Sequence, residues 1–452
     1  MPKHKTVYIL GAGASVSAKL PTQAKTLSFV FSISRLSFDK MEPFSDFLSL
    51  KINYREQRIQ EFYGKFDEYR KELGEFIVSN FSTSDKLTQY TAALDQAKSI
   101  RDTSVDAQEE KEKFINKAYE IVKTVNVTLE DLFTIFDSVN AGREHFRLYS
   151  PSRMIEIQNH LRMCIIYALS YSIATSCDDS DYTLFSEKLL KKRIASSLKD
   201  DTFSIITTNW DDVFERSLYR LCNQYNSTKQ KNQQRVCPDL CFYNYDINQK
   251  DDHIPSIQVK AKGLKNIKVL KMHGSLAWLE CPKCKRIFTD FADEIASEEF
   301  ANTTCPFCQD AVKTNGDSPV LRSLIITPTF MKSLDNLNIK NIWHNAYIDI
   351  SEADQIVFIG YSFPDADFEM RCLLKKATKN NVKVDVVLCP SDDPSKLIYD
   401  LMNRGFSAEE AKEYVWKMNL PQERYISFFG EDRVGFFYGG FSKYINSIDS
   451  EE

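Results

Sequence analysis

Residues 6–15 read TVYILGAGAS, an unbroken β-branched and apolar run that ends on Gly-Ala-Gly-Ala-Ser. Continuous rather than alternating apolar residues mark a strand covered on both faces, as in a parallel sheet. Glycines directly after such a strand allow the backbone to approach a pyrophosphate, whose charge suits the amides of a following helix N-terminus. Position 16 is Val, so the full Gly-x-Gly-x-x-Gly pattern is absent, and a plain tight turn explains the stretch equally well.

Five further runs share this character: TFSIITTNWD (202–211), IKVLKMHGS (267–275), LRSLIITPT (321–329), QIVFIGYSF (355–363) and KVDVVLCPS (383–391). Together they predict an α/β fold, a Rossmann-like doubly wound parallel sheet of about six strands. Ligands bind such a sheet beyond the carboxyl ends of its strands. Between the first two runs, INYREQRIQEFYGKFDEYRKELGEFIV (52–78) and DAQEEKEKFINKAYEIVKTV (106–125) have helical spacing. They predict a large helical insertion over 31–199, with apolar stripes such as Phe62, Phe66 and Tyr69 that would cover the ligand cleft or make oligomer contacts. The discontinuous sheet domain then takes 1–30 and 200–400, a cysteine module 276–320 and a C-terminal segment 401–452. The aromatic run SFFGEDRVGFFYGGF (427–441) has no clear place in this scheme.

The chain has 452 residues, 43% hydrophobic and 27% charged, with a net charge of −5. This composition excludes a whole-chain electrostatic attraction to nucleic acid. The lysines of KLLKKRIASSLK (188–199) read as a solvated helix face. The basic start lacks a signal-peptide apolar region. MCIIYALSYSIATS (163–176) is too short to span a bilayer and reads as a buried helix. A cytoplasmic protein without a membrane segment is therefore expected. Four of the eleven cysteines form Cys281-x2-Cys284 and Cys305-x2-Cys308, the spacing of a four-thiolate zinc ribbon. Four sulfur ligands leave no open position for water, so Zn2+ there would be structural.

The remaining motifs stand at predicted strand ends. Thr208, Asn209 and Asp211 follow the second run; asparagine can hold a ribose hydroxyl or a water. An Asx turn or N-cap for the helix that follows would use the same residues, with Asp211 or Asp212 as cap. His273, next to Gly274, could reach a cleft as a general base or be a satisfied structural histidine. Gly360 and Ser362 could meet ribose or phosphate, and the acidic PDAD (364–367) would open a crossover helix.

In this order, GAGAS, TTNWD, HG, two CxxC pairs and GYS resemble the sirtuin family over roughly 6–24 and 202–391. The resemblance implies NAD+ as substrate. Gly11, Ala12, Gly13 and Ser15 would cradle the pyrophosphate, with Thr208, Asn209, Asp211, Gly360 and Ser362 also binding NAD+. His273, Asn209 and Asp211 would be catalytic. Sirtuin deacylases continue the first motif as Ser-Ala-Gly-Ile-Pro-Asp-Phe-Arg. Here Pro21 stays in register, but Thr22, Gln23 and Ala24 hold the Asp-Phe-Arg places. The Phe-Gly-Glu segment that pairs with acyl-lysine peptides is replaced by ITPTFMKSL (326–334).

With GYS-x-PD-x-D, a long insertion and TLEDLFTIFD (128–137), the chain is similar to the sirtuin-like NAD+ hydrolases of bacterial anti-phage defence. That likeness implies cleavage of the nicotinamide–ribose bond, NAD+ depletion, a homo-oligomer, and a partner ATPase or phage-derived trigger. The alternatives are an NAD-dependent protein-lysine deacylase and a non-catalytic sensor of NAD or ADP-ribose.

Overall fold

In the computed structural model the described residues are 4–34, 55–101, 104–229, 234–241, 244–246, 253–254, 264–289, 303–309, 319–327, 336–418 and 420–448. Their strands, in chain order, are β1 (Thr6–Leu10), β2 (Phe203–Thr207), β3 (Arg235–Asp239), β4 (Asn244–Asp246), β5 (His253–Ile254) and β6 (Leu264–Lys271). They continue with β7 (Gly274–Glu280), β8 (Ile287–Thr289), β9 (Arg322–Ile325), β10 (Gln355–Ile359), β11 (Lys383–Val387) and β12 (Val434–Phe437). Seven of them form one sheet in the order β12-β11-β10-β1-β2-β6-β3, and every pairing is parallel. Every residue of β1 and β2 is buried, as the unbroken apolar runs require. Read outward from β1, this is the doubly wound order with an added edge strand, and the direction of winding reverses at β1.

Two features differ from the expectation. LRSLIITPT supplies β9, which belongs to a second, five-stranded sheet in the order β5-β4-β8-β7-β9, where it pairs antiparallel with β7. A short apolar run fits either kind of buried strand, so periodicity does not separate them. The main sheet instead gains β3 and β12 at its two edges. β3 carries Pro238, which an edge strand tolerates because one side of its backbone needs no ladder partner. β12 lies inside the aromatic run of the C-terminal segment.

The chain divides into two compact units, one of Met1–Lys19, Asp178–Ile326 and Lys332–Glu452, the other of Leu20–Cys177 with Thr327–Met331. The second unit holds α1 (Gln23–Val30), α2 (Arg55–Phe81), α3 (Ser84–Ser99), α4 (Val105–Lys123), α5 (Leu129–Gly142) and α6 (Pro151–Ser176). Thr128 and Asp131 close a capping box at the start of α5, worth about 1 kcal/mol. α6 contains MCIIYALSYSIATS and buries most of it. Among the described residues no helix is long and apolar enough to cross a membrane. Phe66 is fully buried, Tyr69 stacks on His160 at 4.4 Å, and the side chain of Phe62 lies outside the described residues. At the centre of this unit Arg70 is 1% exposed. Its guanidinium donates to the Val30 and Ile33 carbonyls at the end of α1 and to Asp67, and lies over the Phe66 and Tyr119 rings.

In the first unit, α7 (Ser180–Ala195), α8 (Val213–Ser227), α9 (Leu337–Glu352) and α10 (Phe368–Ala377) accompany the sheet. α7 groups here rather than with the other helices of 31–199. At the amino end of β1, Lys5 Nζ meets Asp201 at 2.8 Å and Asp349 and Glu352 at 2.7 Å, which balances charge in that acidic cluster.

Candidate active site

Strand register places the motif residues. Leu10 pairs with Thr207 on one side and Ile359 on the other, and Thr207 pairs with Lys271. Gly11, Gly360, Asn209 and His273 therefore all lie one or two residues past the last paired positions of four adjacent strands, β10-β1-β2-β6. They stand at the carboxyl edge, beside the point where the winding reverses.

The glycines are required by close packing. A Cβ on Gly13 would stand 2.7 Å from the Gly360 carbonyl oxygen, and one on Gly11 2.5 Å from the Tyr361 Cα. Gly360 has φ +62°, and its Cβ would meet the Ala14 nitrogen at 2.0 Å. The Gly13 amide donates to the Gly360 carbonyl at 2.7 Å, so the two turns are fastened backbone to backbone. Ser362 beside them is exposed.

Ser15 is the hub behind this crossing. It is 2% exposed and donates to Asp211 Oδ2 at 2.9 Å. Tyr182 on α7 donates to the Ser15 hydroxyl at 2.8 Å and Asn209 Nδ2 donates to it at 3.1 Å. One donor and two acceptor positions are all a serine hydroxyl has. Ser15 thus fastens the β1 turn to the β2 loop. Asn209 Nδ2 also donates to the Gly11 carbonyl at 3.0 Å, which fixes the amide orientation. Its Oδ1 is buried and has no hydrogen-bond partner among the described residues. Asp211 Oδ1 accepts from the Val213 amide at 3.4 Å, the Asx turn anticipated at the start of α8. Burial raises the Asp211 carboxyl above its ordinary range, against the pull of Lys271. Lys271 is 1% exposed; its Nζ donates to the Asp211 carbonyl at 2.6 Å and meets Glu215 at 2.5 Å. Burial pushes Glu215 up to about 6.

His273 connects the two sheets of this unit. β6 ends at Lys271 and β7 begins at Gly274. Gly274 has φ +75°, and a Cβ there would meet the Leu324 carbonyl oxygen at 2.0 Å, so only glycine fits. The His273 carbonyl accepts from the Ile326 amide at 2.8 Å. Trp210 next to Asn209 donates its indole N–H to the Ile326 carbonyl at 3.0 Å, and its own carbonyl accepts from Leu276 at 2.8 Å. The second sheet therefore clamps both the Asn209 loop and the His273 turn. The imidazole is buried, with Nε2 3.3 Å from Asp367 Oδ1.

The second sheet also carries the four cysteines. Cys281 Sγ lies 3.9 Å from Cys308 Sγ, and Cys284 Sγ 3.8 Å from Cys305 Sγ. All four sulfurs fall within 4.8 Å of one another. A tetrahedron with zinc–sulfur bonds of about 2.3 Å has edges of about 3.8 Å, so the donor set fits Zn2+. Leu279, Phe288 and Leu321 pack around the cluster. The ribbon residues 290–302 and 310–318, and residues 328–334 of ITPTFMKSL, lie outside the described residues.

The SIR2-like domain family model matches residues 204–408. Within the matched residues fall Asn209, His273, the four cysteines and the Gly360 turn, while the GAGAS turn precedes them. Among solved structures, the chain is similar to a sirtuin studied for substrate affinity (11% identity, TM-score 0.33). It is likewise similar to Sir2Tm bound to a propionylated peptide (10%, 0.34) and to Sir2 with p53 peptide and NAD+ (11%, 0.33). In each, the alignment covers 99% of this chain and 92% of the other. Among curated proteins no relative matches this sequence.

Tyr361 and Asp367 lie inside the GYS and PDAD motifs, yet they, Tyr182 and Lys271 stand among the site residues without having been singled out from the sequence. PDAD suggested only a helix start. Tyr182 and Lys271 lie in stretches whose pattern reports burial and nothing more.

Proposed function

We propose that the chain is an NAD+ hydrolase that cleaves the nicotinamide–ribose bond to give nicotinamide and ADP-ribose. The observation that carries this reading is the juxtaposition of Asn209 and His273, both two residues past the paired positions Thr207 and Lys271 of adjacent parallel strands. Pure binding needs no base beside an amide whose buried oxygen awaits a donor. The match of residues 204–408 to the SIR2-like domain model supports NAD+ as the substrate.

In this mechanism the pyrophosphate lies over the Gly11–Gly13 turn and Gly360, with Ala12, Thr208 and Ser362 at its margin. Ser15 and Asp211 hold the Asn209 loop. Asn209 Oδ1 accepts a hydrogen bond from a ribose hydroxyl or from the attacking water. The C1′–N bond breaks, its electron pair leaves with nicotinamide as a neutral pyridine, and water oxygen bonds to C1′. His273 takes the proton, assistance typically worth about 10²–10⁴-fold. Zinc on the four cysteines would keep the second sheet rigid beneath the His273 turn and take no chemical part.

ITPTFMKSL (326–334), in place of a Phe-Gly-Glu segment that would pair with an acyl-lysine peptide, argues for water rather than an acyl-lysine as acceptor. We further propose a homo-oligomer acting in anti-phage defence by NAD+ depletion, released by a partner ATPase or a phage-derived trigger. Incubation of the intact chain with NAD+ should release nicotinamide and ADP-ribose without acyl-peptide. Release that requires acyl-peptide and yields O-acyl-ADP-ribose would assign a deacylase instead.

A further inference from the structure

We infer that Asp367, held by Tyr361, is the positioning residue of His273 in the NAD+ hydrolysis proposed above, on which this inference rests. Asp367 occupies the N-cap position of α10, where an aspartate ordinarily accepts from amides of its own helix. Here the side chain makes no such bond. It turns away and divides its two oxygens. Oδ2 accepts from Tyr361 Oη at 2.7 Å, and Oδ1 lies 3.3 Å from His273 Nε2. All three side chains are buried, with Asp367 1% exposed and His273 and Tyr361 each 4%. A carboxylate that deep is costly unless it is paired and hydrogen-bonded. The positive end of α10 and the tyrosine hydroxyl contribute to that compensation.

Tyr361 is itself fixed. Its carbonyl accepts from Tyr425 Oη at 2.6 Å. Phe363, at φ +55°, packs its ring against those of Tyr361, Tyr425 and Phe428. A bulky residue in the left-handed region persists only where its surroundings impose it. The turn after β10 is thus built around the placement of Asp367.

The chemical consequence concerns charge. A carboxylate 3.3 Å from the imidazole favours its protonated form, so the Asp367 carboxylate stabilises the imidazolium that forms as His273 takes the proton from water and the C1′–N bond breaks. Among the described charged groups on the neighbouring elements, Lys271 is committed to Glu215 and the Asp211 carbonyl and Arg371 to Asp365, while Glu369 lies on α10 itself. Trp343 of α9 donates to the Met272 carbonyl.

The test compares Asp367→Asn, Asp367→Glu and Tyr361→Phe in the intact chain, with zinc content as the check on folding. In Asp367→Asn, kcat for nicotinamide release should fall on the order of 10²-fold, as expected for a misplaced group, while KM changes less than about threefold. Loss of the negative charge disfavours imidazolium, so the acidic limb of the pH–rate profile should move to lower pH. Asp367→Glu should restore part of kcat and return the limb, and Tyr361→Phe should lie between. An NMR titration of His273, assigned by the signal lost in His273→Ala, should show the same downward shift in Asp367→Asn. It reads the pair whether or not NAD+ is turned over. An unmoved His273 titration, or a lower kcat with an unmoved limb and no rescue by Asp367→Glu, would overturn the inference. A wild-type chain that releases no nicotinamide while His273 titrates as described would instead overturn the hydrolase reading.

Discussion

Replacing Lys271 by Met keeps the length of the side chain and removes one buried charge. The ammonium sits between Glu215 at 2.5 Å and the Asp211 carbonyl at 2.6 Å, and is 1% exposed. Without it Glu215 is a buried carboxylate with no cation, and removing one partner of a buried pair costs about 3–5 kcal/mol. In Lys271→Met with Glu215→Gln the stranded charge is gone. What remains is mainly the Asp211 carbonyl short of a donor, about 1–3 kcal/mol. The double variant should therefore be more stable than the single one by roughly 2 kcal/mol, the difference between these two ranges. Urea unfolding followed by zinc release isolates the unit that holds both residues, and linear extrapolation gives the free energies. Nicotinamide release should fall in the single variant because the Asp211 loop also carries Asn209. A loss under about 1 kcal/mol in Lys271→Met, or a double variant no better than the single, would show that Lys271 does not brace this loop as a buried ion pair.

Glu215 also makes stability depend on pH. Burial holds its folded pKa at about 6, above the ordinary 4.5. The associated stability, about 2 kcal/mol from 1.36 kcal/mol per unit, is present below pH 4.5 and lost as pH rises through 6. Unfolding titrations should show Glu215→Gln removing that decline. Gly274→Ala should destabilise the chain by well over the roughly 1–2 kcal/mol of a left-handed backbone, because its Cβ meets a carbonyl oxygen at 2.0 Å; thermal unfolding and nicotinamide release should fall together. Cys305→Ser should bring zinc well below one per chain by metal analysis and lower stability, because structural zinc contributes folding energy directly. Its loss of activity should follow its loss of fold.

The centre of the sheet was legible because β1, β2, β6, β10 and β11 are short apolar runs ending in glycine or polar residues, a pattern that burial on both faces demands. The edges were not. β3, with Arg235, Pro238 and Asp239, carries little apolar signal, and β12 is hidden in a run whose aromatics serve helix packing as well. β9 looked like a sixth parallel strand because a four-residue run holds no information about its partner. That Asn209 and His273 stand at strand ends, and that the four cysteines come together, could be read from residue type and position. Ser15 could not, since a serine after Gly-x-Gly suits a phosphate and a loop hub alike, and only its three partners decide between them. Asp367 escaped because an acidic first turn is ordinary helix chemistry. Its turn away from its own helix is a matter of side-chain direction, which spacing does not encode.

The most direct test of the central claim is nicotinamide release from NAD+ by the wild-type chain, Asn209→Ala, His273→Ala and the double variant, each shown to retain zinc and to bind NAD+. Wild type should release nicotinamide and ADP-ribose. Each single variant should fall by about 10²-fold or more. The double variant should be little worse than either, because the two groups act on one transition state. Release at the wild-type rate by either single variant would contradict the assignment of the catalytic centre to the ends of β2 and β6.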